Sequence, residues 1–121
     1  MTAKDAYDIA LMLIDNLESE AENEDYVKRA PAVIDVLHRE LAFYEGVAVT
    51  GRIDSLDDML QISEDTASRI LPYGIAASFA LADKNGDMYN DFSYMYRALC
   101  RTIRHAETDA ADEYGALDGM L

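Results

Sequence analysis

From residue 3 the chain repeats apolar positions every three or four residues: Ala6, Ile9, Ala10, Leu13 and Leu17, with Asp8, Asp15 and Glu18 on the other sides. That spacing is one face of an α-helix and predicts a first helix over 3–19. After the acidic break EAENED, the stretch YVKRAPAVIDVLHRELAFYEG places Tyr26, Ala30, Val33, Leu37, Leu41 and Tyr44 on one face and stops at Gly46, a common helix terminator. Pro31 either opens the main part of this second helix or bends a longer one. Residues 47–62 show short apolar alternation but no sustained period, which reads as a connecting loop with a strand-like piece or a single helical turn. Loops of that length in small domains tend to be functional or to pack against something.

Ser63 has the character of an N-cap, with Glu64 and Asp65 in the first turn, where the helix dipole favours acids. A third helix is expected from there to about Lys84, kinked at Pro72, with Gly74, Ala76, Ala77 and Ala80 letting a neighbouring helix approach closely. A fourth, from about Asp87 to Ala106, would bury Met88, Phe92, Met95, Leu99 and Ile103. The pattern therefore predicts an all-α fold: a small bundle of about four helices over 1–106, a long loop between helices two and three, and an extended acidic C-terminal tail over 107–121.

One stretch invites a different reading. In ADKNGDMYND, Asp83, Asn85 and Asp87 stand at the first oxygen-ligand positions of a calcium loop, but the sixth position holds Met88 instead of glycine and the twelfth holds Tyr94 instead of glutamate. A polar turn between two helices is the expectation, with Gly86 taking a conformation that other residues resist.

The formal charge of −14 changes the picture further, because a protein that binds nucleic acid by neutralising phosphates needs clustered Lys and Arg. The excess sits at the ends: residues 1–25 carry eight acids against Lys4, and residues 107–121 carry five acids and no base. No apolar run is long enough to span a membrane, and MTAKDAYDIA lacks the basic start and apolar stretch of a signal peptide, so a chain made in the cytoplasm is expected. The single Cys100 cannot close an intrachain disulfide. As a phosphatase-like nucleophile it would need Arg at 106, which is Ala106, so it reads as a helical packing residue. His38 and His105 lie far apart, no Ser–His–Asp grouping or Gly-rich phosphate loop stands out, and neither catalysis nor a cofactor is expected.

Arg97, Arg101 and Arg104 share the face of the fourth helix opposite its apolar stripe. Arginines at that spacing commonly pair with acids of their own chain. In an assembly they could meet a neighbour's acids instead. The tail ETDAADEYGALDGML has no period, yet carries Tyr114 and ends in Leu117, Met120 and Leu121. Ordering it requires an outside anchor, and a partner chain is the simplest one.

Three stretches together resemble the short head–tail connector (adaptor) proteins of tailed phages and prophages: RAPAVIDVLHRELA, IDSLDDMLQIS, and ILPYGIAASFALADKNGDMYNDFSYMYRALCR. The resemblance spans roughly residues 3–106 and lies mainly in the order of parts. An acidic SLDD loop is followed by LPYG with small residues after it, a polar turn, and an aromatic-rich last helix. It implies a mainly helical subunit of a ring, usually of twelve copies, seated beneath the portal protein. Such a ring meets a tail or stopper protein, lets genomic DNA pass without sequence-specific binding, and resides in the virion neck. Arg97, Arg101, Arg104, Tyr114, Leu117, Met120 and Leu121 are then candidates for contacts with other subunits or the portal. Asp54, Asp57 and Asp58 are candidates for an acidic lumen that repels DNA. The alternative is an acidic helical interaction module, such as a DNA-mimicking inhibitor of a basic enzyme.

Overall fold

A computed structural model describes residues 1–14 and 24–103 of the chain. Five helices lie within them: α1 (Ala3–Leu13), α2 (Glu24–Glu45), α3 (Glu64–Arg69), α4 (Leu71–Ala82) and α5 (Gly86–Cys100). The fold is all-α, and among the described residues the one strand-like feature is an isolated antiparallel bridge between Thr2 and Met59.

α1 begins with a reciprocal cap. The Asp5 N–H donates to the Thr2 hydroxyl at 3.3 Å, and the Thr2 N–H donates to the Asp5 carboxylate at 2.9 Å. The next two orphan donors, the N–H groups of Ala3 and Lys4, reach the carbonyls of Asp58 and Leu56 at 2.8 Å each. Residues of the long loop thus complete the start of the first helix, which answers what that loop packs against. α1 ends at Leu13, short of the expected residue 19; the positions from 15 to 23 lie outside the described residues.

α2 is continuous through Pro31, which stands well inside it and neither opens it nor ends it. Its last turn closes in a Schellman arrangement: Gly46, at φ +73°, and Val47 donate to the carbonyls of Phe43 and Ala42. The buried face comprises Tyr26, Ala30, Ile34, His38, Leu41, Ala42 and Glu45. Compared with the apolar pattern it is rotated: Val33 and Leu37 are half-buried, Tyr44 is exposed, and two polar side chains point inward.

The expected kinked third helix is two helices. Ser63 caps α3 as anticipated, its hydroxyl accepting from the Thr66 N–H at 3.2 Å. The helix then breaks at Ile70, and Pro72 falls in the first turn of α4. A proline there has no N–H to close the preceding turn, and its ring disfavours helical backbone just before it, so the chain restarts instead of bending. α4 buries Leu71, Ile75, Ala76, Phe79 and Ala80 around most of its circumference and forms the centre of the molecule. The Phe79 ring stacks on Tyr26 with centroids 4.3 Å apart and meets Tyr7 edge-on.

The turn before α5 carries no loop of free oxygen ligands. The Asp83 carboxylate accepts from the Tyr26 hydroxyl, and the Asn85 side chain caps α5 by accepting from the Met88 N–H at 3.2 Å. The left-handed residue is Lys84, at φ +59°, and not Gly86, which is the first residue of α5 and has open space where a Cβ would go. Relief of that backbone strain leads us to expect Lys84→Gly to raise the unfolding free energy by about 0.5–1 kcal/mol, read by urea denaturation. Gly86→Ala should not lower it. A Lys84→Gly variant less stable than the parent would show that the side chain holds the turn by contacts that outweigh the strain.

α5 packs on the core through Met88, Phe92, Tyr96 and Leu99, of which Tyr96 is the buried one, and Ile103 just past its end packs there too. Met95, expected in this stripe, lies at its edge and is exposed. No helix among the described residues is long and apolar enough to cross a membrane.

Candidate functional site

α5 meets the bundle along one side only, and α2 passes over the same part of α4 without closing against it. The result is a groove of about 670 Å³ between α2, α4 and α5. Its floor is the small-residue side of α4, namely Gly74, Ala77, Ser78 and Leu81. Leu37, Glu40 and Tyr44 form the α2 wall. The opposite wall runs along α5 from Tyr89 to Tyr96, and Arg97, Cys100 and Arg101 complete it.

Tyr96 sets the groove's width. A Cβ on Gly74 would lie 2.8 Å from the Tyr96 ring and 3.0 Å from Leu37 Cδ1, so only glycine lets the ring lie on the floor. The phenol in turn donates to the Glu40 carboxylate on the α2 wall, tying the two walls together. Burial, reinforced by that hydrogen bond, pushes the Tyr96 pKa far up, so it stays a neutral donor. Burial also raises the Cys100 thiol, against a lowering hydrogen bond from Tyr96. A thiol held protonated is a weak nucleophile, which fits Cys100 as a packing residue. Tyr44 is raised chiefly by the charge of Glu40 beside it.

Arg97 and Arg101 are exposed on the groove's edge and make no ion pair with the described residues, unlike Arg69, which bonds Asp65 at 3.0 Å one turn away. The expectation that they serve intrachain pairs is not met there. Arg104, Tyr114, Leu117, Met120 and Leu121 lie outside the described residues. The three loop acids separate. Asp54 and Asp57 are exposed, with Asp54 paired to Arg52 at 3.1 Å. The Asp58 carboxylate instead accepts from the N–H groups of Asp54 and Ser55 at 2.9 and 3.1 Å, which makes it a turn-forming residue of the loop.

Two features escaped the pattern reading. On α2, Val36 and Phe43 fall on the side away from the core and are 67% and 76% exposed, with Val47 exposed just past the helix end, an apolar strip next to the groove. Their positions, out of phase with Ile34, Leu41 and Glu45, were the available signal. The second is a row of polar side chains on the inner face of α2. Asp35 accepts from the Ile53 N–H at 2.8 Å, His38 Nε2 from the Gln61 N–H at 2.8 Å, and Glu45 from the Ser63 N–H at 2.9 Å and the Thr66 hydroxyl at 3.1 Å. Arg39 adds bonds to Asp35 and to the Gly51 carbonyl. Burial works against the Asp35 carboxylate, but the Ile53 N–H and the Arg39 guanidinium outweigh it and hold its pKa below the ordinary value.

Among the described residues no group of three or more His, Cys, Asp or Glu is placed to hold a metal ion. Comparison of the chain with protein-family models, curated proteins and solved structures finds no match.

Proposed function

We propose that this chain is a structural subunit of the head–tail connector of a tailed phage or prophage, one copy of a ring that sits below the portal, joins it to the tail and lets DNA pass. The observation that carries the reading is the surface beside the groove. An apolar strip on α2 and two guanidinium groups without ion-pair partners among the described residues lie on adjoining elements, in a chain whose ends are strongly acidic. Exposed apolar side chains sharing one helix face are a frequent component of protein contacts. Arginine is a favoured interface residue because its planar head pairs with carboxylates at modest desolvation cost. The sequence resemblance supplies the identity of the assembly. The overall negative charge suits a passage for DNA, since like charge along the lumen prevents adhesion.

The test is the mass of the purified protein, alone and with a portal ring. A multimer, or a stable complex with the portal at a fixed stoichiometry, is the expected result. A monomer that ignores the portal but binds a basic enzyme in a salt-sensitive way would replace this reading with that of an acidic inhibitor.

A further inference from the structure

We propose that the groove between α2, α4 and α5 receives the C-terminal segment, residues 107–121, of a neighbouring copy of this chain. The inference rests on the ring reading and specifies which two surfaces meet. The two partners match in chemistry. The groove has an apolar floor at Ala77 and Leu81, the Tyr89 ring along one wall, and Arg97 and Arg101 on its edge. The segment carries five acids and no base, interleaved with Tyr114, Leu117, Met120 and Leu121. The negative charge on the groove's other wall, Glu40, already accepts the Tyr96 hydroxyl.

The ring reading favours a neighbour over the same molecule. After Cys100 the backbone continues in helical turns, with Thr102 donating to the Leu99 carbonyl at 2.9 Å and Ile103 to that of Cys100 at 3.2 Å. Ile103 packs onto the core, and Cys100 and Arg101 just before it line the groove, so the segment is attached beside one end of the groove. From Ile103 the remaining residues can reach about 60 Å when extended, enough to cross to an adjacent copy. A segment of one copy seated in the groove of the next joins two different surfaces. Such a contact is heterologous and repeats head to tail, the arrangement that closes into rings.

Cys100, the chain's single thiol, lines the groove and reports its occupancy. The experiment follows alkylation of the full-length protein by N-ethylmaleimide, an uncharged reagent, across a dilution series, with mass measured on the same samples. Alkylation is expected to slow about tenfold as the protein assembles, which corresponds to about one groove in ten left open. A Leu117→Ser/Met120→Ser variant, whose groove is unaltered, should stay fast. Mixing that variant with an excess of full-length Cys100→Ala chain, whose segment is intact, should slow it again. Assembly with no change in the Cys100 rate, or protection that survives in the Leu117→Ser/Met120→Ser variant, overturns the groove contact and leaves the ring reading standing. Alkylation that is equally slow at every dilution in the parent but faster in the Leu117→Ser/Met120→Ser variant assigns the groove to the molecule's own segment and overturns the exchange between copies. A protein that neither assembles nor protects Cys100 overturns both.

Discussion

Gly74→Leu is expected to lower the unfolding free energy by about 1–3 kcal/mol, and Gly74→Ala to cost less but still to destabilise. The sign of the alanine variant is the informative part. In a helix interior, glycine to alanine ordinarily gains about 0.5–1 kcal/mol, because glycine loses more backbone freedom on folding. Here the added methyl would start 2.8 Å from the Tyr96 ring. Leu37 can swing its terminal methyl away, but Tyr96 cannot move cheaply, since its hydroxyl is held by Glu40. Either α5 rides up from α4 or that part-buried hydrogen bond breaks. Urea denaturation measures both variants, and a Tyr96→Leu background isolates the cause: with the ring gone, Gly74→Ala should become neutral or stabilising. An alanine variant as stable as the parent would mean that the groove wall yields, and that the close approach does not depend on glycine.

Acidification should loosen the loop through His38. The ring is fully buried, its Nε2 accepts from the Gln61 N–H, and its Nδ1 has no partner. Protonation would place a proton on Nε2 facing another donor and bury a charge. Burial accordingly lowers the His38 pKa, against the pull of Asp35 and Glu45 and with the help of Arg39. With the folded pKa below the unfolded one, the unfolded chain binds the extra proton first as pH falls. The contribution of His38 is therefore fully present above about pH 6.5 and declines below it, by at most about 1.4 kcal/mol per pH unit, until the folded form also titrates. Stability measured from pH 7.5 to 5.5 should fall more steeply for the parent than for His38→Gln, whose amide can accept the same N–H without titrating. Parallel curves would show that the imidazole does not couple the loop to pH.

The helices were legible because local spacing carries them, and their ends were legible where a short-range signal exists, as at Ser63 and Gly46. What failed was long-range. The apolar pattern puts Val33, Leu37 and Tyr44 on the core face of α2 because it counts apolar side chains alone, yet His38 and Glu45 turn inward to partners 23 and 18 residues away, at Gln61 and Ser63. Pro72 is compatible in sequence with a bend or a restart, and the chain restarts at Leu71 after the break at Ile70. The small residue Gly74 did mark a close helix approach. That this approach stops short and leaves a groove depends on three helices at once, which no single periodicity contains.

The loop from 47 to 62, with the cap residue Ser63 that follows it, is attached to α2 through its main chain: the N–H groups of Ile53, Gln61 and Ser63 are what Asp35, His38 and Glu45 hold. Every amino acid but proline supplies an N–H, so the attachment is nearly blind to which side chains the loop displays. Asp54, Asp57 and Met59, all facing solvent, can then be exchanged for other residues without disturbing how the loop is moored. The scaffold separates anchoring from display, leaving one surface open to retailoring toward a new counterpart while the rest of the molecule stays as it is.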